Sequence, residues 1–267
     1  MSTPPKEYAT DLTDEQWHLL EPLLPASTWR PGGPGRPPRD RRRVVNGIVY
    51  LTKTGCPWAF LPPTFGPWKT VYGYFNRWTR PGVWDPILDR LTRPERRRQG
   101  RRATPSAGGV DSQSIKAATQ GRTTGYDAGK KVQGRKRHLW VDTLGLITQV
   151  QVTAADGGDR DGLKGLLGRY FAPRVQRLKK LWVDSGYSGP ALHAWVARLK
   201  QTPKIDLEVV AQQGPGFPLL KRRWVVERPF AWLLNFRRHA RDYEVLPRHS
   251  EALIQIAMTQ LLLKRLA

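Results

Sequence analysis

The chain has 267 residues, of which 45 are Lys or Arg against 22 Asp or Glu, giving a formal net charge of +23. That length can bury a sizeable core, and a content of 39% hydrophobic and 25% charged residues is ordinary for a folded protein, which excludes wholesale disorder. The charge favours a polyanionic partner, nucleic acid first, over a small neutral substrate.

The basic excess is spread along the chain: residues 1–102 hold 18 basic and 9 acidic side chains, and residues 103–267 hold 27 and 13. Both parts are therefore expected to touch phosphate. Cys56 is the one cysteine, which excludes an internal disulfide and a multi-cysteine zinc site. The five histidines have no metal-binding spacing, so any metal has to be held by carboxylates, which points to Mg²⁺ or Mn²⁺. No apolar run is long enough to span a bilayer, and Met1 to Glu15 is polar and acidic, unlike a secretory signal; a cytoplasmic, nucleoid-associated protein is expected.

Thr13-Asp14-Glu15-Gln16, followed by Trp17, Leu19, Leu20, Leu23 and Leu24, predicts a capped amphipathic helix that ends at Pro25. Pro31 to Arg39 is rich in Gly and Pro and reads as a loop. From Asp40 a second helix begins with a basic first turn, Arg41, Arg42 and Arg43, and stops near Gly55 and Pro57. A third starts at Pro67 and carries Trp68, Val71, Tyr72, Phe75 and Trp78 on one face, with Lys69, Asn76, Arg77 and Arg80 on the other. Such a trio suits a helix-turn-helix-like DNA-binding domain over residues 1–91; a small bundle whose aromatics only form a core is the alternative. Thr92 to Gly109, arginine-rich and broken by Pro and Gly, reads as a linker.

Past Gly109 the texture changes. Strands are predicted at 109–116, 138–142 and 146–152, the last two joined by a turn at Thr143-Leu144-Gly145. A helix from Arg160 to Tyr170, a strand at 178–183, a helix at 190–199, a strand at 205–210, and helices over 224–241 and 250–266 follow. Three strands in hairpin order, then alternating helix and strand, describe an α/β domain over residues 110–267 whose mixed sheet is flanked by helices, in the order of the RNase H-like architecture.

Three carboxylates stand out in this frame. Asp184 follows the apolar Leu181-Trp182-Val183, which places it at the carboxyl end of a strand, where open sheets hold ligands; an Asp-Ser-Gly turn cap is the plain alternative. Asp111 lies on the first strand, which can be adjacent to the strand before Asp184. Glu227 lies in Trp224-Val225-Val226-Glu227-Arg228-Pro229, and on one continuous helix Arg223 and Arg238 would flank it within about 40° and about 20°. A metal ligand between two phosphate clamps fits that layout, and a surface salt-bridge ladder does as well. Pro229 disturbs the geometry, either starting the helix near Arg228 or kinking it. Asp142 precedes a turn, and Asp156, Asp159 and Asp161 read mainly as helix caps.

Taken together, Gly-Val-Asp-Ser-Gln-Ser-Ile-Lys at 109–116, Gly-Arg-Lys-Arg-His-Leu-Trp-Val-Asp-Thr-Leu-Gly at 134–145, Val-Thr-Ala-Ala-Asp at 152–156 with Asp-Arg-Asp-Gly at 159–162, Val-Asp-Ser-Gly-Tyr at 183–187 and Trp-Val-Val-Glu-Arg-Pro-Phe-Ala-Trp-Leu at 224–233 resemble bacterial insertion-sequence transposases of the DDE class. Residues 11–90 resemble the small domain that precedes the catalytic one. The resemblance implies an RNase H-like fold, Asp111, Asp184 and Glu227 as a triad holding two Mg²⁺ or Mn²⁺ ions, double-stranded DNA as partner, and a homodimer acting on the two element ends. Related enzymes set a tyrosine, an arginine and a lysine around the glutamate; here Arg223 matches, while Leu220 and Leu234 depart from the pattern, with Arg237 or Arg238 as stand-ins for the lysine. Arg41, Arg42, Arg43, Lys69, Arg77, Lys130, Lys131, Arg135, Lys136, Arg223, Arg237 and Arg238 are the expected DNA contacts. The rival expectations are a catalytically inactive DNA-binding protein derived from a transposase and an RNase H-like nuclease.

Overall fold

The computed structural model describes residues 7–26, 29–30, 37–118, 122–168, 177–199, 204–210 and 224–267. Helix α1 (Asp14–Leu20) opens with the capping box expected: Gln16 N–H donates to Thr13 Oγ1 at 3.1 Å and Thr13 N–H to Gln16 Oε1 at 3.2 Å. Helix α2 (Arg41–Thr54) starts at Asp40, whose carboxylate accepts from the Arg42 and Arg43 amides. It ends at Gly55, where φ is +76°, a left-handed conformation that glycine adopts without strain. Helix α3 (Trp68–Thr79) follows Pro67 as expected.

The arginine-rich segment departs from its reading as a linker. Helix α4 (Trp84–Arg98) runs through Pro94 into it. Trp84, Ile87, Leu88, Leu91 and Glu95 recur at three- and four-residue spacing and are all buried, so the helix has an inward face that the surrounding arginines hide in the sequence. Arg96 is buried with them, and its guanidinium pairs with Asp142, which is 0% exposed.

Among the described residues the sheet has six strands: β1 (Ala107–Lys116), β2 (Gly125–Asp127), β3 (Val132–Asp142), β4 (Ile147–Ala154), β5 (Lys180–Val183) and β6 (Asp206–Val209). β1 lies between β3, to which it is antiparallel, and β5, to which it is parallel; β6 continues beyond β5, and β2 and β4 both pair with β3. β2 falls between the strands predicted at 109–116 and 138–142, being three residues long and too short to show alternation. Helices α5 (Asp159–Gly168) and α6 (Pro190–Ala197) cover one face through Leu163, Leu166, Leu167, Leu192 and Val196. Helices α7 (Trp224–Leu234) and α8 (Pro247–Leu266) belong to the other. This is the mixed, helix-flanked sheet with a leading helical region that the pattern predicts.

Helix α8 is buried on almost every side, with Ala252 through Met258, Leu262 and Leu263 all inaccessible. It packs against α4 and α2 as well as β4, so one continuous apolar cluster joins Leu20, Ile48, Phe75 and Leu91 to Val150, Ile254 and Leu263. No helix among the described residues is long and apolar enough to cross a membrane.

Three buried histidines tie this interior to pH. Burial pushes His138 and His249 down to about 4 and His239 well below its usual value. The unfolded chain, with histidine near 6.5, then binds more protons than the fold, so this stabilisation is complete above pH 6.5 and is lost as pH falls through 4. One histidine shifted that far corresponds to about 3 kcal/mol. Urea unfolding midpoints are expected to fall steadily from pH 7 to pH 4.5, and His249→Gln to make that slope shallower.

Candidate active site

The parallel pair β1 and β5 positions two carboxylates. Gly109 stands opposite Trp182 in the register, and two residues further on are Asp111, still within β1, and Asp184, just past the end of β5. Both are half-buried, and with Val110, Trp182, Val183, Val210 and Val226 they line one cavity of about 20 Å³. This is the carboxyl end of β5 and of the segment of β1 that pairs with it, as expected for a ligand site in an open sheet. Asp111 accepts from the Ser112 amide at 2.7 Å. Asp184 caps the helical turn Ser185–Tyr187 by accepting from Gly186 N–H at 2.9 Å, so the turn-cap reading and the site reading describe the same side chain.

Glu227 lies in the first turn of α7 and is exposed. Its neighbour Val226 is buried, lines the cavity and packs on Gly109. A Cβ added at Gly109 would lie 2.3 Å from Val226 Cγ2, so only glycine lets α7 settle this close to β1. Gly109→Ala is therefore expected to push α7 outwards and destabilise the fold by about 1–3 kcal/mol, an overpacking cost. Since shifts near 1 Å can lower rates about 100-fold, DNA nicking is expected to fall more than the melting temperature would suggest.

The donor set of Asp111 and Asp184 fits a hard divalent cation: carboxylate oxygens, with no thiolate or imidazole beside them. Among the described residues, however, no three Asp, Glu, His or Cys side chains converge closely enough to hold one ion. The structure thus brings together two members of the expected triad and leaves the third on the adjoining helix, facing solvent.

Around the pair is a layer of polar groups. Ser112 Oγ donates to Asp159 Oδ1 at 2.7 Å, and Lys136 Nζ stands 3.3 Å from the same oxygen while donating to the Gly157 carbonyl at 2.9 Å. Lys130 Nζ donates to the Ser112 carbonyl at 3.3 Å. Tyr187 is 1% exposed, and burial, then the charges of Asp159, Asp111 and Asp184, push its hydroxyl pKa far upward. Asp159 and Tyr187 lie within the Asp-Arg-Asp-Gly and Asp-Ser-Gly-Tyr motifs, yet spacing alone says nothing of their convergence. The other acidic residues considered are elsewhere: Asp161 pairs with Lys164 at 3.1 Å, Asp156 stands against Gly125, and Asp142 is sealed with Arg96 at the β3–β4 turn.

The expected DNA contacts divide by exposure. Arg43, Lys69, Arg77, Lys130, Lys131 and Arg237 are exposed; Lys69 lies over the Trp68 ring and Arg77 over Tyr74. Arg41 and Arg42 are half-buried and paired with Glu21 and Asp14 at 3.0 and 2.6 Å. Arg135 is a correction. It is 0% exposed, with its guanidinium engaged by Asp242, Ser250 and the carbonyls of Arg122, Thr123, Glu244 and Val245, so it has no donor left for a phosphate. Lys136 is likewise turned inwards. Arg238 is a second correction: α7 ends at Leu234, which removes Arg238 from the helix face of Glu227, and its guanidinium is buried against Glu244 and the Cys56 carbonyl. Leu234, at the lysine position of the resemblance, is exposed. Arg223 and Leu220 lie outside the described residues.

Two family models match this chain. Residues 12–88 match the one described as "Putative transposase of IS4/5 family", and residues 102–262 the one described as "Transposase DDE domain". The chain is 35% identical over 117 residues to a Burkholderia cepacia protein named "Insertion element IS402 uncharacterized 16.2 kDa protein", covering 43% of this chain and 78% of that one. It is 28% identical over 82 residues to "Uncharacterized protein y4sN" of Sinorhizobium fredii, covering 31% of this chain and 63% of that protein. No solved structure matches. With the DDE domain model spanning more than half of the 267 residues, over a mixed sheet that carries Asp111 and Asp184 side by side, the chain belongs to the transposases with a DDE domain.

Proposed function

We propose that this transposase binds the ends of an insertion sequence and catalyses divalent-metal-dependent cleavage and transfer of DNA strands. The observation that carries the reading is that Asp111, on β1, and Asp184, just past the end of the parallel strand β5, line one cavity. Asp111 and Asp184 would hold the metal, with Glu227 as the third ligand. Bound there, Mg²⁺ or Mn²⁺, as one ion or two, supplies Lewis-acid stabilisation of charge building on phosphoryl oxygens. The chain's own part is positional. Gly186 N–H fixes the Asp184 carboxylate, the Ser112 amide fixes Asp111, and the apolar wall of Val110, Val183 and Val226 narrows the space between them. Glu227, exposed on α7, reaches the pair only by rearranging its side chain or its helix once metal and DNA are present. No protein nucleophile is required, since a water and later a DNA 3′-hydroxyl serve that role.

Arg43, Lys69, Arg77, Lys130, Lys131 and Arg237, exposed and cationic, are the residues we assign to phosphate contact, and the leading helices to the element ends. Two ends need two active sites, so a homodimer on DNA follows from this reading. The test is an end-bearing DNA duplex incubated with Mg²⁺. Nicking followed by strand joining is the result expected. Nicking without joining would identify an RNase H-like nuclease, and binding without nicking a DNA-binding derivative.

A further inference from the structure

We propose that Asp159 is a fourth acidic member of this site: a positioning residue whose carboxylate orients the water shell of a divalent cation held by Asp111 and Asp184. The inference rests on the reading of those two residues as cation ligands.

Asp159 is fixed on one side. Its Oδ1 accepts the Ser112 hydroxyl at 2.7 Å and faces Lys136 Nζ at 3.3 Å, and Lys136 is itself buried and anchored on the Gly157 carbonyl. Its Oδ2 and an oxygen of Asp184 both approach Gly186: a point one bond out from that backbone lies 3.3 Å from Asp159 Oδ2 and 3.0 Å from Asp184 Oδ1. The missing side chain of Gly186 therefore leaves a small space between two carboxylate oxygens. An ion pair that only tied β3 to α5 would not need to aim its second oxygen there.

Tyr187 supplies an independent observation. It is 1% exposed, it feels the charges of Asp159, Asp111 and Asp184 together, and its hydroxyl makes no hydrogen bond of good geometry, the nearby Ser112 oxygen, which donates to Asp159 and can still accept, being poorly aligned with it. A buried hydroxyl left in that state is costly, and a water held among these carboxylates would satisfy it. The cavity of about 20 Å³ lined by Asp111 and Asp184 has room for one water-sized particle, while Asp159 and Gly186 line the adjoining one together with Arg160 and Lys164. Asp159 suits the outer role rather than direct ligation, because Lys136 and Ser112 already occupy one of its oxygens. Outer hydrogen-bond partners of this kind typically change metal affinity by roughly 10- to 100-fold.

The experiment titrates the full chain with Mn²⁺ alone and reads the affinity by calorimetry, with thermal melting alongside. Asp159→Asn is expected to weaken Mn²⁺ binding by roughly 10- to 100-fold and Asp184→Asn to abolish it. Raised Mn²⁺ is expected to restore nicking to Asp159→Asn and not to Asp184→Asn, a rescue that a purely structural role would not give. Unchanged Mn²⁺ affinity in Asp159→Asn, with binding lost in Asp184→Asn, overturns the proposal for Asp159 while the cation site stands. Unchanged affinity in Asp184→Asn removes the site itself, and this proposal with it. Should Asp159→Asn fail to fold, Ser112→Ala releases the same carboxylate from its anchor, and an unaltered affinity there overturns the proposal equally.

Discussion

Asp184→Asn is expected to slow metal-dependent nicking by about 10³-fold or more, about 4 kcal/mol of transition-state stabilisation, while leaving DNA affinity and melting temperature close to those of the parent chain. Asparagine is the informative replacement. Its side-chain oxygen can still accept from Gly186 N–H, the bond that caps the turn after β5, so the local fold survives while the negative charge is removed. If Asp184 were only a turn cap, the variant would keep its activity. Asp111→Asn is expected to behave alike, because its carboxylate lines the same cavity from the neighbouring strand. Glu227→Ala separates a different pair of ideas. Glu227 is exposed, so its truncation should leave stability within about 0.5 kcal/mol, as surface changes usually do. A loss of nicking as large as that of Asp184→Asn would mean that α7 delivers Glu227 to the pair in the working complex. A loss below about tenfold would remove Glu227 from the chemistry.

The largest effect on stability is expected at Arg96. This residue lies in the segment whose sequence reads as a linker, yet it is 4% exposed and pairs with Asp142, which is 0% exposed. Asp142 also accepts from the Leu144 and Leu146 amides at 2.8 and 2.9 Å, and Arg96 Nε donates to the Arg102 carbonyl at 2.9 Å. The pair thus fastens α4 to the turn between β3 and β4. Even beside the guanidinium, burial holds the Asp142 carboxyl above its usual range, which shows how poorly this interior solvates a charge. Arg96→Ala leaves that carboxylate buried without its counter-ion and is expected to cost about 3–5 kcal/mol, read as a drop in the urea midpoint. Combining Arg96→Met with Asp142→Asn removes both charges and keeps an acceptor for the turn amides. The double variant is expected to recover most of the loss. If Arg96→Ala alone proved neutral, α4 would not be anchored through this pair.

Much of the scaffold could be read from local pattern. The Thr13 capping box, Asp40 and Gly55 bounding α2, and the apolar runs ahead of Asp184 and around Asp111 are short-range signals, and each corresponds to an observed element. α4 was hidden because its inward residues are interleaved with arginines and a proline, so periodicity is masked by composition. Likewise, α7 stops at Leu234 where helical spacing alone would run on to Arg241; nothing local marks that end, and the buried Phe236 and Arg238 turn the chain back onto α2.

Residue types and their order therefore determined most of the elements, the basic surplus that suits a polyanion, and the lack of any cysteine or histidine metal motif. The assembled chain decided which charges remain at the surface. Arg135 and Lys130 look alike as letters, but Arg135 lies in the middle of β3, where Asp242, Ser250 and a ring of carbonyls enclose it, whereas Lys130 is exposed at the turn before that strand. Tertiary structure also brought Asp159 and Asp184 to the same glycine, Gly186, and left Glu227 outside the pair. The physical reason is the same in each case: burial and convergence depend on strand register and helix seating, which join residues far apart in the chain, while spacing along the chain governs only neighbours on one element.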